Sequence, residues 1–150
     1  MYTHAAIIAS TGQYEWTQYD VETADGYIFK MSRITNNPAG VSPNKGTKGP
    51  LILQHGATVP SEGWYFNGLV GFTKPYPQIL FDAGYDVFLM EARSASPFSM
   101  GHSDPDKDVE SFPEAYFDFD DSVIALNEVP AAVNKVLEIR AAETLECQKV

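Results

Sequence analysis

A histidine followed by a glycine and an alanine, His55-Gly56-Ala57, is the group of residues best suited to chemistry in this chain. His55 could act as a general base, because histidine changes its charge near neutral pH. Glycine lets the backbone turn sharply and come close to another group, which leaves backbone amides available. The group follows the apolar run Leu51–Leu53, so we expect it where a buried strand ends.

Two apolar segments have to position this group. Pro50–Gln54 and Tyr85–Met90 are short apolar runs, which are typical of parallel strands buried on both faces. A helix is expected between them near Pro77–Ala83, so the pattern predicts a βαβ unit. Ligands of such sheets bind just beyond the carboxyl ends of the strands, which is where His55 lies.

A hairpin is predicted near the start of the chain. The pair Asp25-Gly26 is a strong turn signal, and it lies between the candidate strands Tyr19–Thr23 and Tyr27–Ile34. The span Asn36–Gly49 is rich in proline and glycine and predicts a surface loop.

The last third of the chain predicts a long helix. Apolar residues recur three and four positions apart from Ser122 to Ala142. Pro130 should lie near the start of this helix or at a break in it. The helix is expected to cover the sheet around Val133 and Leu137, and Cys147–Val150 would begin the next strand.

Three segments at compatible spacings carry a specific resemblance. Tyr19–Ile28 is similar to the YEVTTEDGYIL motif of the acid lipases of gastric and lysosomal type, and Leu53–Gly56 is similar to their LQHGL motif. Asp82–Val87 resembles the start of their DAGYDVWLGNSRG segment, and Val129–Ala131 is a weaker match. The chain therefore resembles the N-terminal part of an acid lipase, in the α/β-hydrolase superfamily.

The resemblance implies both a fold and an activity. The fold would be α/β, with an antiparallel hairpin that leads into a mostly parallel sheet with flanking helices. Residues 1–150 would form the N-terminal portion of a single lipase-like domain, which we expect to be incomplete. The implied activity is hydrolysis of lipid carboxylic esters, such as triacylglycerols or steryl esters.

The serine nucleophile of this superfamily lies in a GxSxG motif on a tight turn between a strand and a helix. No GxSxG motif occurs in the 150 residues, so the resemblance implies that the catalytic triad lies outside this sequence. One alternative is a catalytically silent lipase-like subunit that serves as a structural or binding component of a larger assembly. Another is a split enzyme whose nucleophile comes from a second polypeptide. Of the family's GNSRGN segment only Arg93 is kept, which favours a relaxed or reassigned site.

The resemblance also suggests which residues lie at the site. The backbone amide of Ala57 would correspond to an oxyanion-hole donor, with His55 and Gly56 beside it. A tight turn that merely ends the strand is the alternative. The family's triad histidine comes far downstream, so His55 is expected to be a hydrogen-bonded structural residue close to the site.

The aromatic residues Trp64, Tyr65 and Phe66 follow this group. They could line an acyl-chain pocket and bind the lipid substrate. They could equally belong to the core between helix and sheet.

Two other patterns are discounted as sites. Gly101-His102-Ser103 begins like a nucleophile motif, but Pro105 stands where the second glycine is needed, so a polar surface loop is expected. Asp104, Asp106 and Asp108 alternate like the start of a calcium loop, but the glycine and glutamate that such a loop requires are absent. We therefore predict no metal site and no cofactor.

Composition limits the remaining possibilities. The 44% hydrophobic fraction excludes general disorder, and a net charge of −10 argues against nucleic acid as a partner. No segment predicts a transmembrane helix or a signal peptide, although the family is typically secreted or lysosomal. The single cysteine cannot form an intramolecular disulfide, so the compartment stays unknown.

The expected sheet would be incomplete by itself. The nucleophile strand of this superfamily is central, so its absence would leave an open sheet edge. We expect Leu51, Leu53, Val87 and Leu89 to be poorly covered as a result. Open apolar edges pair readily with other chains, so a longer chain or a protein partner is expected to complete the sheet.

Overall fold

The computed structural model describes residues 14–37, 39–40, 48–56, 59–65, 74–93, 95, 101–107 and 113–147, with the side chains of 113, 115 and 145–147 left out. Its five strands are β1 (Glu15–Glu22), β2 (Tyr27–Asn36), β3 (Pro50–Gln54), β4 (Asp86–Glu91) and β5 (Gly101–His102). Its α-helices are α1 (Tyr76–Asp82), α2 (Pro113–Tyr116), α3 (Asp121–Val123) and α4 (Val129–Cys147). Short 3-10 helices span Ser61–Tyr65 and Pro105–Lys107, and a π-helical segment spans Ile124–Glu128.

β1 and β2 form the predicted hairpin. They pair antiparallel, with Val21 opposite Phe29, and both strands are longer than predicted. The turn is closed by two backbone hydrogen bonds, from the Thr23 amide to the Tyr27 carbonyl at 2.8 Å and from the Gly26 amide to the Thr23 carbonyl at 3.0 Å. Gly26 has φ +88°, a left-handed conformation that glycine adopts without steric cost.

The central strand of the described sheet is β4. The strand order is β1-β2-β4-β3, with β4 antiparallel to β2 and parallel to β3. All six residues of β4 are buried, as expected for a strand with neighbours on both sides. The predicted strands at Leu51 and Val87 are paired in one sheet with α1 between them in the chain, which confirms the α/β fold.

Alternate residues of β4 supply two apolar cores, one on each face of the sheet. Phe88 and Met90 pack towards the long helix, in a cluster with Val21, Phe29, Met31, Ala92, Ile124, Ala132 and Val136. Val87 and Leu89 pack on the opposite face, in a cluster with Tyr14, Ile34, Leu53, Tyr65 and Phe81. The sheet therefore forms the middle layer of an α/β sandwich, and this places the ends of β3 and β4 between two packed surfaces.

The second of these cores corrects one expectation. Leu53, Val87 and Leu89 were expected to be poorly covered, but they are only 8%, 0% and 1% exposed, and Leu51 is half-buried. Aromatic rings from outside the strands cover them, notably Tyr14 and Tyr65. The strand pattern alone does not reveal such long-range contacts.

The long helical region contains a break at the place where Pro130 suggested one. The π-helical segment Ile124–Glu128 immediately precedes α4, and Pro130 lies in the first turn of α4. Proline is tolerated in a first helical turn, where its missing amide is not needed. The predicted helix and its break are thus both confirmed.

The face that this helix turns towards the sheet differs from the prediction. Ala132 and Val136 are buried against the sheet, whereas Val133 is 42% exposed and Leu137 is 59% exposed. The buried face is therefore shifted by one residue, or about 100° of helical rotation. The sequence pattern does not distinguish the two faces, because apolar residues occur on both of them.

Ion pairs connect α4 to the sheet. The guanidinium of Arg33 donates to both carboxylate oxygens of Asp86, at 2.8 and 3.0 Å, and both side chains are almost fully buried. Arg140 of α4 donates to Asp86 at 2.9 Å, and Glu143 of α4 accepts from Arg33. These contacts hold the helix across the amino-terminal end of β4.

Two further expectations concern the ends of predicted elements. Cys147 is the last residue of α4, so the expectation that it starts a strand is wrong, and residues 148–150 lie outside the described part. Most of the predicted loop Asn36–Gly49 also lies outside the described residues.

The hairpin turn gives a first prediction. Gly26→Ala should destabilise the fold by about 1–2 kcal/mol, because a left-handed φ is unfavourable for alanine. A Cβ there would also lie 2.7 Å from Ser103 Oγ and 2.9 Å from His102 Cε1. Urea unfolding of both proteins measures the difference.

Gly49→Ala is the matched control for this prediction. Gly49 has φ +83°, but a Cβ there meets no described atom within 4 Å. Its substitution should therefore cost less than that of Gly26. An equal cost at both positions would show that the contacts with His102 and Ser103 contribute nothing.

Candidate functional site

The candidate site lies where β3 and β4 end. Gln54 and Met90 are opposite each other in the parallel register, so the residues that follow them leave the sheet at the same edge. His55 and Gly56 follow β3, and Ala92 and Arg93 follow β4. This is the edge at which parallel α/β sheets bind their ligands.

The His55 ring joins the two strand ends. Its Nε2 accepts a hydrogen bond from the Ala92 amide at 2.9 Å, and its Nδ1 lies 2.7 Å from the Gly56 carbonyl oxygen. An acceptor at Nε2 and a donor at Nδ1 correspond to the neutral tautomer with its proton on Nδ1. Both nitrogens of this buried ring are thus engaged by the backbone, which supports a structural role for His55.

A mostly apolar concavity of about 280 Å³ opens beside this histidine. It is lined by His55, Gly56, Val59, Pro60, Gly63 and Trp64. A Cβ built on Gly56 would meet no described atom within 4 Å, so this glycine faces open space. Ala57 and Phe66, which were predicted to supply an oxyanion donor and a substrate contact, lie outside the described residues.

The two described aromatic candidates take different places. Trp64 lines the concavity and stacks on Tyr76 of α1, with ring centroids 5.8 Å apart. Tyr65 is fully buried in the core on the α1 side of the sheet. Burial raises the pKa of the Tyr65 phenol, so its hydroxyl stays protonated. The structure therefore brings Trp64 together with His55 and Gly56, and places Tyr65 behind them.

A second concavity, of about 250 Å³, lies on the other side of His55. It is lined by Gln54, His55, Ala92, Asp121, Ile124, Ala125 and Val129. The imidazole thus forms part of the wall between two open spaces at the end of the sheet.

Arg93 is the most connected side chain at this edge, although the sequence analysis gave it no role. Its guanidinium is fully buried, and donates to Asp25 at 2.9 and 3.2 Å and to Glu128 through Nε. It lies 3.6 Å from the ring centroid of Tyr27. Its backbone carbonyl accepts from the Tyr116 hydroxyl at 3.1 Å. One residue therefore connects the hairpin turn, the π-helical segment and α2 to the end of β4.

The two carboxylates beside Arg93 have opposite pKa shifts. Glu128 is fully buried, and this burial raises the pKa of its carboxyl in spite of the hydrogen bonds and charge of Arg93. Burial also acts to raise the pKa of Asp25, but hydrogen bonds from Arg93 and Thr23 outweigh it and the pKa is lowered. Asp25 is 31% exposed, so burial, although the largest single influence on its pKa, is outweighed by the hydrogen bonds and charge together.

The discounted motif around Ser103 lies elsewhere. Gly101 and His102 form the short strand β5 beside the hairpin, a strand where the sequence predicted a loop. Ser103 is exposed, and its amide donates to the Gly26 carbonyl at 2.8 Å. Among the described residues no group of histidine, cysteine and acidic side chains could hold a metal ion.

Sequence reasoning missed two parts of this site for different reasons. Arg93 is retained in a segment that otherwise differs from the family's GNSRGN. This retention could have identified Arg93 as part of the site. The hydrogen bonds between Glu91 and Ser61, described below, join residues 30 positions apart, and no local pattern predicts them.

Comparisons with known proteins agree with this geometry. A family model described as the partial α/β-hydrolase lipase region matches residues 5–68. Lipase lipl-1 of Caenorhabditis elegans is 32% identical over 127 residues, which cover 85% of this chain and 29% of that protein. Human lysosomal acid lipase/cholesteryl ester hydrolase is 32% identical over 123 residues, covering 80% and 28% respectively. Triacylglycerol lipase 2 of Arabidopsis thaliana is 37% identical over 90 residues, covering 59% and 21%.

The sheet and these matches are those of the partial lipase region of the α/β-hydrolase fold. Within that fold the chain resembles the N-terminal part of lipases that include lysosomal acid lipase. It spans less than a third of the length of these relatives. Within the described residues, no helix is both long enough and apolar enough to cross a membrane.

The Arg93 contacts give a second prediction. Arg93→Met should lower the free energy of unfolding by about 3–5 kcal/mol, because it leaves Glu128 buried without its counter-charge. The double variant Arg93→Met/Glu128→Met should recover much of this loss. Chemical denaturation at pH 7 measures both, and equal stability of the single and double variants would contradict the account.

The difference in free energy of unfolding between Arg93→Met and the wild-type chain should become smaller as the pH falls from 7 towards 4. Glu128 has a raised folded-state pKa, so its burial is least costly below its unfolded pKa of about 4.3 and most costly above its folded pKa. Asp25 has a lowered pKa because of Arg93, so the wild-type chain loses that stabilisation as the pH falls. Both effects make the difference in free energy of unfolding between the variant and the wild type smaller at acid pH.

Proposed function

We propose that this chain forms the N-terminal part of a lipid carboxylic-ester hydrolase, and that it contributes the oxyanion side of the active site. The observation that carries the proposal is the open concavity beside His55 and Gly56, at the joint end of β3 and β4. Its mostly apolar lining suits an acyl chain. The relatives include a cholesteryl ester hydrolase and triacylglycerol lipases, so we infer steryl esters or triacylglycerols as substrates.

In this proposal the nucleophilic serine and its histidine come from sequence outside these 150 residues. The serine oxygen attacks the ester carbonyl carbon while the histidine takes its proton, and the carbonyl oxygen becomes an oxyanion. The Ala57 amide donates to that oxyanion, and Gly56 leaves room for the carbonyl group to approach. The alcohol then leaves with the proton, and water hydrolyses the acyl-enzyme.

A catalytically silent lipase-like subunit is the second candidate. The observation in its favour is that of the family's GNSRGN segment after β4 only Arg93 is kept. Such a subunit would bind a lipid ester at the same concavity without cleaving it. The two proposals therefore share a site and differ in whether a nucleophile is ever brought to it.

We also propose that a longer chain or a protein partner completes the sheet. Among the described strands, β3 is paired on one side only, by β4. Beside it, Val133 and Leu137 of α4 line a concavity of about 250 Å³ with Pro50, Ile52 and Val136. An unpaired strand next to exposed apolar side chains is a surface that proteins usually cover.

The catalytic proposal is tested by a chimaera. Residues 1–150 replace the corresponding part of lipase lipl-1, whose own remaining sequence is kept. The chimaera should hydrolyse a triacylglycerol and react with a fluorophosphonate probe, whereas the 150-residue chain alone should do neither. Measurement of released fatty acid and of labelled protein distinguishes these outcomes.

Gly56→Val in the chimaera is the site variant, because its side chain would enter the open space beside His55. Lys135→Ala, at a half-buried position of α4 that does not line this concavity, is the control. Probe labelling without lipid hydrolysis in the unmodified chimaera would favour the silent subunit. Labelling of the isolated chain at Ser103 would overturn our assignment of that motif to the surface.

The incomplete sheet gives a separate prediction. The isolated chain should bind a dye that reports exposed apolar surface, and this binding should fall in the chimaera, where Val133 and Leu137 become covered. Fluorescence titration and light scattering at matched concentrations measure this. A monodisperse monomer that binds no dye would show that the 150 residues need no further covering.

A further inference from the structure

Glu91, the last residue of β4, is a buried carboxylate that the proposed reaction does not use. Its residue is only 4% exposed. Oε2 accepts a hydrogen bond from the Ser61 amide at 3.3 Å and a second one from the Ser61 hydroxyl. Burial of a carboxylate is unfavourable unless donors compensate it, so this contact is a specific one.

Ser61 is the first residue of the 3-10 helix Ser61–Tyr65 and is itself fully buried. The first amides of a helix have no partner within the helix, and a carboxylate is a favourable acceptor for them. Glu91 therefore fastens the start of this short helix to the end of the central strand. The Gly63 amide also donates to the Pro60 carbonyl, at 2.9 Å.

The position of this helix determines the wall of the concavity. Gly63 and Trp64 face the open space with His55 and Gly56, while Tyr65 packs into the core behind it. A helix of five residues has little stability by itself, so its place depends on such tertiary contacts.

We propose that Glu91 is a positioning residue that holds Trp64 as the wall of the concavity beside His55 and Gly56, and so sets the width available to an occupant. The identity of that occupant as an acyl chain rests on the proposed function. The placement of Trp64 does not, so it can be tested without any enzymatic activity.

The test is hydrogen exchange measured by mass spectrometry on the full 150-residue chain. In Glu91→Leu, exchange in a peptide that covers residues 59–65 should be about tenfold faster or more, since a charged hydrogen-bond acceptor is lost. Glu91→Gln keeps an oxygen acceptor of the same length and should remain close to wild type. Ser61→Ala should lie between the two.

Val136→Ala is the control for general loss of stability. It removes core contacts on the helix side of the sheet, away from Trp64. In this variant the exchange rate should rise in α4, while the exchange rate of residues 59–65 should stay as in wild type. If Glu91→Leu leaves residues 59–65 as protected as in wild type, or if Glu91→Gln loosens them as much, the proposal is overturned.

Tryptophan fluorescence is a second measurement of whether the contact between Glu91 and Ser61 holds Trp64 in place. The chain has two tryptophans, so Trp16→Phe leaves Trp64 as the reporter. In that background Glu91→Leu should shift the emission to longer wavelength, and Glu91→Gln should not. An unshifted emission in Glu91→Leu would show that Trp64 keeps its place without the carboxylate.

The chimaera described above then separates the two proposals. If it is active, Glu91→Leu should change the ratio of kcat/KM between long and short acyl esters, and Glu91→Gln should restore it. If the chimaera is inactive but exchange and fluorescence respond as expected, the catalytic proposal fails while the positioning role of Glu91 stands. If the chimaera is active and Glu91→Leu leaves its acyl preference unchanged, Glu91 does not set the width of the concavity.

Discussion

The buried guanidinium of Arg93 is the contact on which the rest of the described structure depends. It neutralises Glu128, whose carboxylate would otherwise be buried alone in the π-helical segment. It also fixes Asp25 in the hairpin turn and lies against the ring of Tyr27. The hairpin, the π-helical segment and the end of β4 are far apart in the sequence, and this one charge connects all three. An apolar side chain could fill the same volume, but it could not specify the three positions at once.

Three consecutive residues at the end of β4 each position a different element. Glu91 holds the 3-10 helix at Ser61, and the Ala92 amide holds the His55 ring at the end of β3. Arg93 holds the hairpin and the π-helical segment. Because β4 is the central strand and is buried along its length, its end is a rigid reference point. The residues that line the concavity follow β3, and contacts with the end of β4 hold them in place.

The elements that depend on local pattern could be predicted from the sequence. The hairpin follows from Asp25-Gly26, the parallel pair from two apolar runs, and the helix break from Pro130. The helix face could not be predicted, because Ala132 and Val136 lie on one face and Val133 and Leu137 on the next, and all four are apolar. A shift of one residue exchanges Val133 for Ala132.

The candidate site was predictable in place but not in its contacts. His55 and Gly56 were located by the end of an apolar run, which is a local signal. The division between Trp64 in the concavity and Tyr65 in the core was not predictable, because neighbouring residues of a 3-10 helix point about 120° apart. Which of them faces the core depends on how the helix is fastened at Ser61. A single hydrogen-bonded carboxylate thus decides which aromatic ring is available to a ligand.

The same reasoning explains why the departures from the family segment after β4 need not disturb the fold. Arg93 is the residue of that segment whose side chain reaches other elements through charge, and it is retained. Ala92 contributes only its backbone amide, so its side chain is free to differ. Glu91 accepts a hydrogen bond from Ser61, and that contact lies next to the concavity. Glu91 is therefore connected to the wall of the site, while Arg93 connects the hairpin and the π-helical segment to the end of β4.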